Sequence, residues 1–142
     1  MDFSAINWLA VVVCVIVSFA VGFVWYSPKV FFDTWWKALG KTEKDMPGSG
    51  GMGMTWAMTA VASIVQAVGM AFMVPAIAGG MPGGVNAANG ALVGFMLWLP
   101  FMAATSLTNR MFAQHGLKVW AIEAGNHLIT LVLFGAILGA WR

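Results

Sequence analysis

The sequence predicts an all-α integral membrane protein: a four-transmembrane-helix bundle with a short interfacial amphipathic helix after the first span. Three observations predict it. Of the 142 residues only 8% are charged and 61% are hydrophobic, where a soluble domain carries roughly 25% charged residues to face water. Mean hydropathy is +0.84. Four apolar stretches each reach the roughly 20 residues that a helix needs to cross a hydrocarbon core, twice the about 10 residues of a barrel strand.

The spans fall at residues 6–26, 54–78, 86–107 and 119–141, in a single membrane domain of 1–142. The N-terminal MDFSAINW lacks the positive region of a secretory signal, so the first span is expected to persist. Cys14 is the one cysteine; it cannot form an intrachain disulfide and reads as an inert packing residue in an apolar run. The net charge of +2 fits contact with anionic headgroups and gives no reason to invoke nucleic acid. The expected partners are the lipid bilayer and either further copies of the chain or a larger membrane complex. No cofactor is legible.

Basic residues in short loops set topology. Lys29, Lys37, Lys41 and Lys44 follow the first span, and Arg110 and Lys118 fall in the third connection. On the other side stands only Arg142. This places both termini outside the cytoplasm, in a multi-pass protein of the inner cell membrane.

The stretch SPKVFFDTWWKALG puts Phe31, Phe32, Trp35, Trp36 and Leu39 on one helical face and Lys29, Asp33 and Lys37 opposite. Asp33 precedes Lys37 at the favourable i,i+4 spacing. Pro28 suits a first turn and Gly40 a C-terminal cap, so a helix over 28–40 is expected at the cytoplasmic interface. It serves as an anchor or as a lid. Residues 41–53 read as a polar, glycine-rich linker.

Polar residues inside the spans are spaced as stripes. Asn7, Cys14, Ser18, Gly22 and Trp25 share one face of the first span, and Thr55, Thr59, Ser63 and Gln66 one face of the second. Glu123, Asn126, His127 and Thr130 form a third stripe in the last span. The third span carries Asn89, Thr105 and Ser106, and Pro100 should kink it or free a carbonyl. Polar groups facing lipid are costly, so the stripes should turn inward. Counting from the cytoplasmic end, Glu123 lies about 6 Å deep and His127 about 12 Å, at 1.5 Å per residue. Trp25, Thr59, Ser63 and Thr105 sit at similar depths. The expected site is therefore an inward-opening polar pocket of Glu123, His127, Asn126, Asn109, Thr59, Ser63, Thr105 and Trp25.

Glu123 and His127 are four apart on one helix, so their side chains can meet. As a pair they either lock helix packing or form a proton-linked or solute site. Glu-x-x-x-His offers only two ligands to a metal that wants three or four, so no metal set is assigned. There is no phosphate loop with its lysine, no serine elbow and no HExxH, so no catalytic set is assigned either. Gly90 and Gly94, Gly135 and Gly139, and Ser18 and Gly22 have the small-xxx-small spacing of close helix contacts. Trp8, Trp25, Trp35, Trp36, Trp56 and Trp141 lie near span ends, as an aromatic belt requires.

The segments NWLAVVV…VGFVWYSPKVFFDTWW and WAIEAGNHLITLVLFGAILGAW resemble the bacterial domain-of-unknown-function family 1761, small four-helix integral membrane proteins. WYSP after the first span is the most specific mark. The resemblance implies recurring positions at Asn7, Gly22, Trp25, Tyr26, Ser27, Pro28, Trp35, Asn109, His127 and Trp141, with the acidic position at Glu123. Family members often carry an aromatic residue where this chain has Asn126. The resemblance implies the fold and no established activity.

Three functional expectations follow. The first is a homo-oligomeric membrane protein whose pocket binds or passes a small polar solute or proton. The second is an accessory subunit of a larger membrane complex, its polar stripes serving packing alone. The third is a membrane-embedded enzyme acting on a lipid or quinone, with His127 as base and Glu123 orienting it.

Overall fold

The computed structural model describes residues 1–46 and 52–141. The core of the expected linker, 47–51, and the topology-counting Arg142 lie outside the described residues. Among the described residues there is no strand. Helix α1 spans Trp8–Trp25, α2 Phe32–Ala38, α3 Gly53–Ala78, α4 Ala87–Phe112 and α5 Gly116–Ala140. All but α2 are long and apolar enough to cross a membrane.

Each boundary has a local cause. The Asn7 Oδ1 accepts the Ala10 amide at 3.1 Å and caps α1, which is a fuller role than the end of a polar stripe. The α3–α4 turn uses Gly83 (φ 90°) and Gly84 (φ 66°), conformations that glycine adopts without penalty. Pro100 falls in a π-helical turn, Trp98–Ala103. It has no amide to donate, and the wider turn absorbs it without ending the helix.

Two expected boundaries are corrected. Helix α4 runs on to Phe112 and α5 begins at Gly116, so the third connection shrinks to Ala113–His115 and both Arg110 and Lys118 are helical. The last turn of α4 carries Thr108, Asn109 and Arg110, which hydropathy reads as loop although the backbone stays helical. The helix ends with Gln114 at φ 63°, while the Gln114 and His115 amides bond back to the Met111 and Arg110 carbonyls. That is the Schellman pattern, usually built on glycine. The helix after the first span is also shorter than the expected 28–40. Pro28 lies in a turn where the Val30 and Phe32 amides both bond to the Ser27 carbonyl, and Phe31 bonds to that of Trp25. At its other end Gly40 (φ 78°) closes the helix as expected.

Helix α5 is the most buried of the four spans and packs on α1, α2, α3 and α4. Its seam with α4 is glycine on glycine. A Cβ on Gly90 would strike the Gly135 carbonyl, one on Gly94 the Leu131 carbonyl, and one on Gly139 the Asn86 carbonyl. Both GxxxG pairs are therefore used inside the bundle. Val11, Cys14, Ala67, Val74, Val93, Phe134 and Leu138 form the apolar core, at the end carrying the N-terminus and the α3–α4 turn. Leu9, Val12, Ile16, Phe23, Val65, Leu92 and Phe101 are exposed on the outside of the bundle.

Candidate functional site

The opposite end of the bundle is polar. At the end of α4, Ser106, Asn109 and Arg110, with Ala113 just past the last turn, fall at i, i+3, i+4 and i+7, one face of a helix. On α5, Glu123 and His127 are one turn apart. With Tyr26 from the end of α1, these side chains line a cavity of about 410 Å³.

The charge pairing differs from the expected Glu123–His127 couple. Glu123 is held by Arg110 through two parallel bonds, Nε to Oε1 and Nη2 to Oε2, both 2.6 Å. The planar guanidinium matches both carboxylate oxygens, an option imidazole lacks. The Trp35 indole adds a third bond to Oε2 at 3.1 Å, and the Arg110 Nη1 reaches His115 Nδ1 at 2.8 Å. Arginine only donates, so Nδ1 is the acceptor and the His115 proton sits on Nε2. The pair is mostly shielded, with side-chain exposures of 30% for Arg110 and 14% for Glu123.

His127 lines the same cavity and makes no hydrogen bond among the described residues. One residue before it, the Asn126 Oδ1 is buried with no partner among the described residues, while the Asn126 carbonyl accepts the Thr130 hydroxyl at 2.9 Å. Burial and the nearby Glu123 carboxylate push the Tyr26 phenol up to about 12, with Arg110 acting in the opposite direction. Tyr26 thus stays a neutral donor throughout the physiological range.

Tryptophans build the frame around this site. Three successive residues of α5 each accept an indole N–H from a different element. The Ile122 carbonyl takes Trp25 at 2.7 Å, the Glu123 carboxylate takes Trp35, and the Ala124 carbonyl takes Trp98 at 2.9 Å. A fourth bond runs the other way, from Trp120 to the Ala103 carbonyl at 2.9 Å. Buried indoles need such acceptors. Trp25 lies flat enough on α5 that a Cβ at Gly125 would come within 2.8 Å of its ring. For Trp25 and Trp35 the belt reading gives way to this role, whereas Trp8, Trp56 and Trp141 are exposed.

Of the residues expected in the pocket, Glu123, His127 and Asn109 line it. Ser63 is buried elsewhere, accepting the Ser18 hydroxyl at 3.0 Å between α1 and α3. Thr59 is exposed and donates to the Thr55 carbonyl of its own helix at 2.7 Å. That bond removes the need of Thr59 to face inward; Thr105 is exposed as well. The sequence reading missed Arg110, Tyr26, Ser106 and Ala113 as lining residues. The α4 spacing could have found three of them, had the helix been carried past residue 107.

Four spanning helices around a polar, charge-paired cavity at one end define a small multi-pass membrane protein. Residues 9–139 match the family described as "Protein of unknown function (DUF1761)", and the chain belongs to that family. None of the curated proteins and none of the solved structures matches it. Of the positions that the resemblance marks, Tyr26, Asn109 and His127 line the cavity, while Trp25 and Trp35 bond to α5 beside it. Gly22 has open space before it, Ser27 supplies the turn carbonyl, and Trp141 is exposed at the far end.

Proposed function

We propose that the cavity between α1, α4 and α5 binds a small polar solute, and that His127 is the group the solute meets. One observation supports this above the others: the carboxylate and guanidinium at the site are partnered, while the imidazole faces cavity space without a partner. An ionisable side chain kept within a span is expensive, and one left unspent on packing points to a ligand or a proton. The glycine seam and apolar core fill the far half of the bundle. A solute that crosses would therefore need a change of shape, and binding or proton exchange is the primary event.

Lys29, Lys37, Lys41, Lys44, Arg110 and Lys118, the basic residues among the described residues, lie at the cavity end, which supports a cytoplasmic mouth with both termini outside. The half-buried aromatic face of α2 and its exposed Asp33 and Lys37 support an interfacial position. The same reading includes a homo-oligomer or a larger complex. Gly22 and Gly69 leave open space for a neighbouring helix, whereas Gly90, Gly94, Gly135 and Gly139 do not.

The test is thermal stabilisation of the purified chain in detergent by acetate, succinate, glycine, ethanolamine, imidazole and glycerol, beside proton flux in proteoliposomes. At least one signal should be present in the wild type and lost in His127→Ala. If neither stabilisation nor flux distinguishes the two proteins, the site reading is wrong.

A further inference from the structure

The cavity contains two groups that can be cationic, Arg110 and His127, and one carboxylate, Glu123. From this we infer that the ligand is a small organic carboxylate, which takes the Arg110 fork from Glu123 and brings one proton to His127. The inference rests on the cavity being a solute site.

Glu123 already occupies Arg110 as a carboxylate ligand would, with two parallel 2.6 Å bonds. Of the five guanidinium N–H groups, three are engaged by Glu123 and His115, and Arg110 lines the cavity with part of its surface open. A second carboxylate can therefore approach the fork and displace the first. The exchange is asymmetric. A released Glu123 has a waiting partner, since His127 stands one turn away on the same face of α5. A released Arg110 has none, because His115 offers only a lone pair. A cationic solute competing for Glu123 would strand Arg110 in a low-dielectric site, and an anionic one competing for Arg110 strands nothing.

Proton balance follows from the same three groups. With neutral imidazole the set carries no net charge, and an added monoanion would leave the site at minus one. A proton on His127, paired with the displaced Glu123, restores neutrality. The groups facing this proton are Glu123 on its own helix, Arg110 and Asn109 on α4 and Tyr26 at the end of α1, with His115 behind Arg110. Tyr26 and Asn109 remain to hydrogen-bond the bound carboxylate, while the Ser106 hydroxyl donates to the Ala103 carbonyl.

Acetate and succinate, titrated calorimetrically into the detergent-solubilised chain in two buffers of different ionisation heat, read affinity and proton uptake together. The expected result is binding with uptake approaching one proton per carboxylate group bound at the fork. His127→Gln should bind at least tenfold more weakly and take up no proton. Arg110→Lys, which keeps the charge and loses the fork, should also bind at least tenfold more weakly. Arg110→Gln/Glu123→Gln, which keeps a neutral hydrogen-bonding pair and hence the fold, should not bind. Proton uptake unchanged in His127→Gln, or unchanged affinity in Arg110→Lys, overturns the inference. If ethanolamine or glycerol binds in a His127-dependent way and neither carboxylate does, the inference falls and the solute site stands. If no probe binds, the inference falls, and if proton flux is also the same in His127→Ala, the solute site falls with it.

Discussion

Arg110 and Glu123, thirteen residues apart on adjacent helices, are joined by two hydrogen bonds of 2.6 Å that span the Ala113–His115 turn. The turn and the ion pair support each other. Gln114 in the left-handed region sends α5 back along α4, which brings the carboxylate opposite the guanidinium.

Breaking that pair from one side should be worse than removing both charges. Glu123→Gln or Arg110→Gln leaves the other charge poorly solvated, at a cost of about 3 kcal/mol, reduced somewhat by the partial exposure of Arg110. The double variant should recover at least half of the loss. Reversible unfolding in mixed micelles measures all four proteins, and strict additivity would show that the two residues do not interact.

The α4–α5 seam leaves no room for a side chain. Gly90→Ala and Gly135→Ala should each destabilise by about 2 kcal/mol or more, since the added methyl meets backbone and cannot be relieved by a rotamer change. Gly69→Ala meets nothing within 4 Å and should be neutral or stabilising by up to about 1 kcal/mol, the helix preference of alanine over glycine. Equal effects at Gly69 and Gly135 would contradict the seam.

Gln114 holds a backbone conformation that costs an L-residue about 1–2 kcal/mol. Gln114→Gly should therefore raise stability by about 1 kcal/mol, read as a higher melting temperature, with the ion pair intact. A loss of stability would mean that the Gln114 side chain contributes more than its backbone costs.

Tyr26 is the one tyrosine in the chain, so phenolate absorbance reports it alone. Its value is raised from the ordinary 10.0 to about 12 by burial first and by Glu123 second. The sign follows: the stabilisation from the neutral phenol is complete below about 10 and is lost as pH rises through about 12. Glu123→Gln should bring the midpoint down, because one of the two raising influences is gone. An ordinary midpoint in the folded wild type would show that Tyr26 is not packed against α2 and the cavity.

The spans were legible because hydrophobic length is a local property: α1, α3 and the body of α5 follow from runs such as LAVVVCVIV. The inward position of Ser18 and Ser63 was legible for a related reason, since helical spacing and the cost of polar groups in lipid both argue for it. Arg110 was not legible as Glu123's partner. Its polar neighbourhood in α4 lowers hydropathy below that of a span, and no local pattern reports a pairing between two helices. Thr59 misled because its hydroxyl is satisfied on its own backbone, so polarity alone did not decide its direction; Thr105 is exposed without such a bond. Trp25 and Trp98 carry no mark in the sequence to separate an indole bonded across helices from one floating at the interface; Gly125, opposite Trp25, was the available hint.

The most direct measurement is thiol labelling from water in a Cys14→Ala background. A hydrophilic, membrane-impermeant thiol reagent should modify His127→Cys rapidly in proteoliposomes. Thr130→Cys, three residues deeper on α5 at a position 6% exposed, should stay unmodified. If the cysteine at 127 is as inert as the one at 130, the cavity does not reach the imidazole and the proposed site is refuted.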